Sequence, residues 1–284
     1  MKAPRSSPLL FVMDVGNTNV VAGVYPMPAS RKAPPPKAPL AAWRFATDRS
    51  KTPDEYQSLL RDFLSQAGIA SSRVQGAILA SVVPALVPVM EDLVQRLFGL
   101  PLMVVDLGLD LGLKVATRDP REVGADRLVN AVAAHARWSG PLVVLDFGTA
   151  TTFDAVSAKG EYLGGAIAPG VLISAEALAA RTAKLPRIEM QRPARAIGRS
   201  TIESMRSGIY HGTVGQVREL LHQVMQELGG KPKVVATGGL SRWLPLKELG
   251  IYAMEPNLTL EGLVRIWGRN APKAKAATRR RRDR

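Results

Sequence analysis

The apolar and polar positions of this chain spell the same short element twice. LLFVMDVGNTNVVAGVY and PLVVLDFGTATTFDAV each open with an apolar run that ends on Asp-x-Gly. Each then passes through small hydroxyl or amide residues into a second β-prone run, which predicts a β-hairpin with a polar tip. LAAWRFAT and LMVVDLG predict further strands, and QGAILASVV a buried one. TPDEYQSLLRDFLSQAG predicts a helix, with Thr52 as N-cap, Pro53 at the first position and Gly68 at the end. PALVPVMEDLVQRLFG predicts a second helix, so the first half reads as a mixed α/β unit.

Residues 108–122, rich in charged and small side chains, read as a crossing loop. REVGADRLVNAVAAHARW predicts a helix with Leu128, Val129, Val132 and Ala133 on its inner side. After the second hairpin, GEYLGGAIAPG predicts a strand entering a glycine-rich turn, and VLISAEALAARTAKLP a helix ending before Pro186. MRSGIYHGTVGQVRELLHQVMQELGG predicts a long helix broken or tightened near its glycines. KVVATGGLS predicts a strand with a double-glycine turn, and LTLEGLVRIWGRN a closing helix. At roughly 150 residues per domain the chain accommodates about two. The expected boundaries are 1–120, interrupted by a proline-rich basic loop at 28–39, then 121–270, then a tail at 271–284.

Composition narrows the chemistry. With no cysteine, disulfides, thiolate metal sites and cysteine nucleophiles are excluded. His135, His211 and His222 fall in no compact metal-ligand spacing. The formal charge of +14 suggests nucleic acid until it is located: the last fourteen residues hold seven Lys or Arg against one Asp, which is +6 of the total. That tail reads as disordered and solvated, touching nucleic acid at most non-specifically. No apolar run is long enough to span a bilayer, and Asp14 interrupts the N-terminal apolar stretch, which reads as the first strand. A cytoplasmic protein is expected.

The hairpin tips carry the candidate chemistry. Gly16, Asn17, Thr18 and Asn19 in the first, and Gly148, Thr149, Thr151 and Thr152 in the second, offer backbone N–H groups and short donors to phosphate oxygens. Asp14 and Asp146 would repel a phosphate unless a cation lay between, so they point to a metal-bound nucleotide. A lone Asp-x-Gly is more often a capped turn; recurrence in matched strand contexts favours the ligand. In GADR, Asp126 is placed to accept a proton from a substrate hydroxyl and Arg127 to bind an anionic group. ATGGLS at 236–241 and GGAIAPG at 164–170 let a ligand approach the backbone closely. There is no P-loop motif, no strand-borne G-x-G-x-x-G and no G-x-S-x-G elbow. Phosphoryl transfer by positioning and charge neutralisation remains.

DVGNTN, EVGADR, DFGTATTFD, GGAIAPG and ATGGL, in this order along almost the whole chain outside the tail, resemble the type III pantothenate kinases. That family belongs to the acetate kinase, sugar kinase, Hsp70 and actin superfamily. The resemblance implies an α/β fold of duplicated actin-like (ribonuclease H-like) domains with a nucleotide cleft between them. It also implies ATP-dependent phosphorylation of pantothenate to 4'-phosphopantothenate, which opens coenzyme A synthesis, and a homodimer. By the same resemblance Asp14, Val15, Gly16, Asn17, Thr18, Asn19, Val20 and Val21 line the ATP phosphates, with Asp14 assisting Mg2+ and Thr149 touching ATP. Asp126 is the general base; Gly124, Ala125, Asp126, Arg127 and Thr182 meet pantothenate; and Asp146 holds a monovalent cation, K+ or NH4+. Where similar enzymes carry a tyrosine that encloses pantothenate, Thr117 stands here. Losing that aromatic wall is worth about 1 kcal/mol or more of affinity. Two alternatives follow from Thr117 and the basic tail: a paralogue acting on another hydroxy acid, or a nucleotide-binding regulatory or RNA-associated protein on the same fold.

Overall fold

A computed structural model describes residues 7–28, 30 and 34–271. The tail beyond Ala271 and part of the proline-rich loop lie outside the described residues. Two sheets organise the rest. The first contains β1 (Leu9–Val15), β2 (Asn19–Pro26), β3 (Ala41–Ala46), β4 (Val74–Ser81) and β5 (Met103–Val104), in the order β3-β2-β1-β4-β5. The second contains β6 (Lys114–Val115), β7 (Leu142–Phe147), β8 (Ala150–Val156), β9 (Glu161–Pro169), β10 (Lys233–Thr237) and β11 (Ala253–Met254), in the order β11-β10-β7-β8-β9-β6. Each predicted hairpin becomes an antiparallel pair, β1 with β2 and β7 with β8.

Alternation along β1 separates two cores. Leu9, Phe11, Met13 and Val15 pack outward against α1 (Pro53–Gln66) and α2 (Val87–Phe98), while Leu10 and Val12 face inward. The inward layer is built from α3 (Ala125–Arg137) and α6 (Leu258–Asn270), which pack on each other between the sheets. β7 repeats the division. Leu142 and Val144 join that central layer, whereas Val143, Leu145 and Phe147 pack against α5 (Thr201–Leu228). On α6, buried Glu261 accepts from Arg137 and Arg265, so its charge is paired.

Helix starts follow their caps. Thr52 and Glu55 form a reciprocal capping box at the head of α1, with Pro53 at the first turn. Two predicted elements differ from what is seen, the long helix and the crossing loop. The long helix α5 is continuous, because Gly208, Gly212 and Gly215 have open space beside them and remove no helical hydrogen bond. The helix expected to end before Pro186 is α4 (Val171–Arg181). The crossing loop contains β6, which pairs in parallel with β9, so it adds an edge to the second sheet.

Candidate active site

The two hairpin tips meet. The hydroxyls of Thr18 and Thr149, 131 positions apart, stand 2.8 Å from each other. Each tip is closed by a backbone bond of 3.0 Å, Gly16 N–H to Asn19 O and Gly148 N–H to Ala150 O. The first is braced further: the Thr47 hydroxyl donates to Gly16 O at 2.7 Å, and Arg49 Nη2 donates to Asn17 Oδ1 at 3.2 Å. Short donors of both halves therefore converge at one place. Val15 and Val20 are buried in the core under α1 and α2, which leaves only their main chain for a ligand.

Asp14 and Asp146 hold the same station, the penultimate residue of β1 and of β7. Their surroundings differ. Asp146 Oδ2 accepts from Asn130 Nδ2 at 3.0 Å, and Asn130 Oδ1 accepts the Thr259 hydroxyl at 2.7 Å. Asp14 Oδ1 is buried with no hydrogen-bond partner among the described residues. Burial, followed by the nearby Asp126 carboxylate, pushes Asp146 up to about 7 against the opposing bond from Asn130. Burial, Asp126 and Asp146 likewise hold Asp14 well above the usual carboxylate range. Close behind Asp146 lies the double-glycine turn after β10. A β-carbon at Gly238 would stand 2.6 Å from Asp146 Oδ1, and its φ of +92° suits glycine.

Asp126 is the second residue of α3, after the N-cap Gly124 and Ala125. Its Oδ1 accepts the Arg127 N–H at 2.8 Å, and a β-carbon at Gly124 would come within 2.6 Å of that oxygen. Burial raises the Asp126 carboxyl, opposed by the amide and charge of Arg127. Arg127 is itself tethered: Nε and Nη2 both lie 2.7 Å from Oδ1 of buried Asp154. The Tyr162 hydroxyl donates to the same oxygen at 2.7 Å, and Thr152 donates to Oδ2 at 3.2 Å. Asp154 is thus a fully buried carboxylate whose partners fix the direction of Arg127.

The remaining candidates are more scattered. Thr117 follows β6 beside Gly164 of β9, and its Oγ1 is buried without a partner among the described residues. Thr182 caps the end of α4, its exposed hydroxyl donating to Leu178 O at 2.7 Å. Among the described residues, none of the hydrogen bonds joins Thr182 to Asp126 or Arg127. Sequence reasoning missed Asn130 and Asp154. Asn130 lies one helical turn after Asp126, a spacing that puts both on one face, so that signal was present. Asp154 follows Thr152 at a two-residue strand interval, a weaker signal.

No three Asp, Glu, His or Cys side chains among the described residues gather as a metal cage. The donors fit magnesium carried on nucleotide phosphates, which keeps several waters and takes one or two carboxylates. The orphaned Oδ1 of Asp14 is the oxygen suited to it.

A model of the type III pantothenate kinase family matches residues 10–223. A type III pantothenate kinase from Moorella thermoacetica is 46% identical over 262 residues, covering 92% of this chain and 100% of the relative. One from Koribacter versatilis is 46% identical over 263 residues, covering 92% and 96%. The fold is also similar to that of a ROK hexokinase from Thermus thermophilus, with a TM-score of 0.50 at 13% identity over 91% of this chain and 98% of the other.

Proposed function

The chain belongs to the type III pantothenate kinase family and phosphorylates pantothenate on the way to coenzyme A, and on that premise we propose how its residues divide the work. The observation that carries the assignment is the meeting of the two hairpin tips at Thr18 and Thr149, each tip following an aspartate at the matching strand position, with the Asp126 charge bearing on both aspartates. The tips bind the ATP phosphates. Asp14 through Val21 lie on one side and Thr149 on the other, and Asp14 Oδ1 takes the accompanying magnesium, which neutralises phosphate charge. Asp126 accepts the proton as the primary hydroxyl oxygen of pantothenate bonds to the γ-phosphorus. The bond from that phosphorus to the β,γ-bridging oxygen breaks, and ADP leaves.

A carboxylate raised above its ordinary range is a better base than a solvated one, provided it is ionised at the working pH. Arg127 directs its remaining Nη1 to the pantothenate carboxylate, because Asp154 occupies the other two nitrogens. Gly124, Ala125, Thr117 and Thr182 complete the substrate contacts. Asp146 binds K+ or NH4+ beside Thr149, in a position where its two burdens, burial and neighbouring carboxylates, are both relieved by a cation.

Exposed Leu163 and Ile167 on β9, with Leu172, Ile173 and Leu178 on α4, support a homodimer through that face. No helix among the described residues is long and apolar enough to cross a membrane, and we assign the enzyme to the cytoplasm. The test is turnover of pantothenate with Mg-ATP in potassium and in sodium. Phosphorylation that is faster in potassium is expected. Equal rates in the two salts would remove the monovalent site, and no phosphorylation of pantothenate would remove the substrate.

A further inference from the structure

We propose that Arg44 is a phosphate-binding residue of this kinase, meeting the transferred phosphoryl group from the β3 side of the cleft. The inference rests on the kinase reading and adds a residue to it. Asp14 on β1 pairs with Val21 on β2, and Val21 pairs with Arg44 on β3, so the three side chains form one row across one face of the first sheet. That is the face carrying Leu10 and Val12, which turns toward the second sheet. An arginine side chain spans enough of two inter-strand spacings, roughly 10 Å together, to bring its guanidinium back toward Asp14.

The far end of Arg44 crosses the cleft. A β-carbon at Gly239, in the turn after β10, would stand 3.6 Å from Arg44 Nη1 and 3.9 Å from Cζ and Nη2. The charge also bears on both hairpins, where Arg44 opposes the upward shift of Asp14 and of Asp146. Its neighbours on the exposed face of β3 are Ala42 and Ala46, which leave the guanidinium room to move.

The other arginines of the site are committed. Arg127 is tied to Asp154 and Arg49 to Asn17. Arg44 is exposed, and among the described residues it makes no hydrogen bond and no ion pair. One uncommitted guanidinium therefore stands at the mouth of a cleft whose carboxylates would repel a phosphate, and its charge offsets part of that repulsion. Arginine matches that use, since its planar fork donates to two phosphate oxygens at once. As the pantothenate oxygen bonds to the γ-phosphorus and the bridging oxygen leaves with ADP, negative charge on the phosphoryl and bridging oxygens is met by Arg44. The proton goes to Asp126.

The experiment compares wild type with Arg44→Gln and Arg44→Lys, using steady-state kinetics, calorimetric affinities for Mg-ATP and for adenosine, and melting temperature. The glutamine variant should lose about 100-fold or more in kcat/KM for ATP, as expected when a transition-state cation is removed. It should lose ATP affinity while keeping adenosine affinity, pantothenate KM and melting temperature, and lysine should restore part of the rate. A glutamine variant within about threefold of wild type in kcat/KM for ATP overturns the assignment, as does an equal loss of ATP and adenosine affinity. A wild type that leaves pantothenate unphosphorylated counts against the kinase reading alone, because the contrast between ATP and adenosine still decides the role of Arg44.

Discussion

The hairpins β1–β2 and β7–β8 place an aspartate at the same station, yet one carboxylate is supported and the other is left open. Asp146 is held by Asn130, which Thr259 orients in turn, whereas Asp14 keeps a buried oxygen with nothing to accept from. The difference teaches that backbone shape and side-chain duty are set separately. Strand, turn and return fix where a carboxylate sits, and the helix layer behind it decides what it has left to offer.

The largest expected effect tests what the two hairpins share. Asp126 raises both hairpin carboxylates, so Asp126→Asn should relieve each while removing the base. Turnover should fall by about 1,000-fold with the melting temperature kept or increased, measured by single-turnover kinetics and calorimetry. A variant with a tenth of wild-type turnover would place the base elsewhere. The next effect separates the hairpins. Asp14→Asn should lower kcat by about 100-fold and weaken the response to magnesium. Asp146→Asn should fall by about tenfold and lose the difference between potassium and sodium, as when a supporting metal contact is removed. If the two variants respond alike to both cations, the division of labour is wrong.

Much of this comparison was legible in the sequence. The repeated apolar run ending in Asp-x-Gly gave both hairpins, because a period of two with a glycine turn has few other solutions. The partners of the aspartates were harder to see. Asn130 reaches Asp146 from 16 positions away and Thr259 reaches Asn130 from 129, and Arg44 comes into line with Asp14 only through two strand registers. Local pattern carries no record of such meetings. The glycines of α5 misled for the opposite reason, since a helix with open space beside it tolerates them without a break.

Smaller effects sharpen the supported side. Asn130→Ala leaves a buried carboxylate without its donor, which should cost about 1–3 kcal/mol and lower the melting temperature by several degrees. An unchanged melting temperature would mean that the bond contributes nothing. The smallest effect is a slope with pH. Asp146 keeps its proton in the folded protein up to about 7 but releases it near 3.8 when unfolded. Its contribution to stability is therefore complete below about 3.8 and is lost as the pH rises through about 7. Melting temperatures of cation-free protein should decline across that window, and potassium or Asp146→Asn should flatten the decline. A steeper fall in potassium would reverse the sign and remove the cation from Asp146.

Helix α3 carries Asp126, Arg127 and Asn130 while packed between the sheets against α6. For anyone wishing to redesign the enzyme, that burial fixes where freedom lies. The proposed base, the substrate arginine and the brace of Asp146 all ride on one rod, so an apparently silent core change at Val129 would detune all three together. The β6–β9 edge around Thr117 and Gly164 carries none of them. A library aimed at new acceptor alcohols belongs there, where the pocket can be reshaped while the phosphoryl machinery is left untouched.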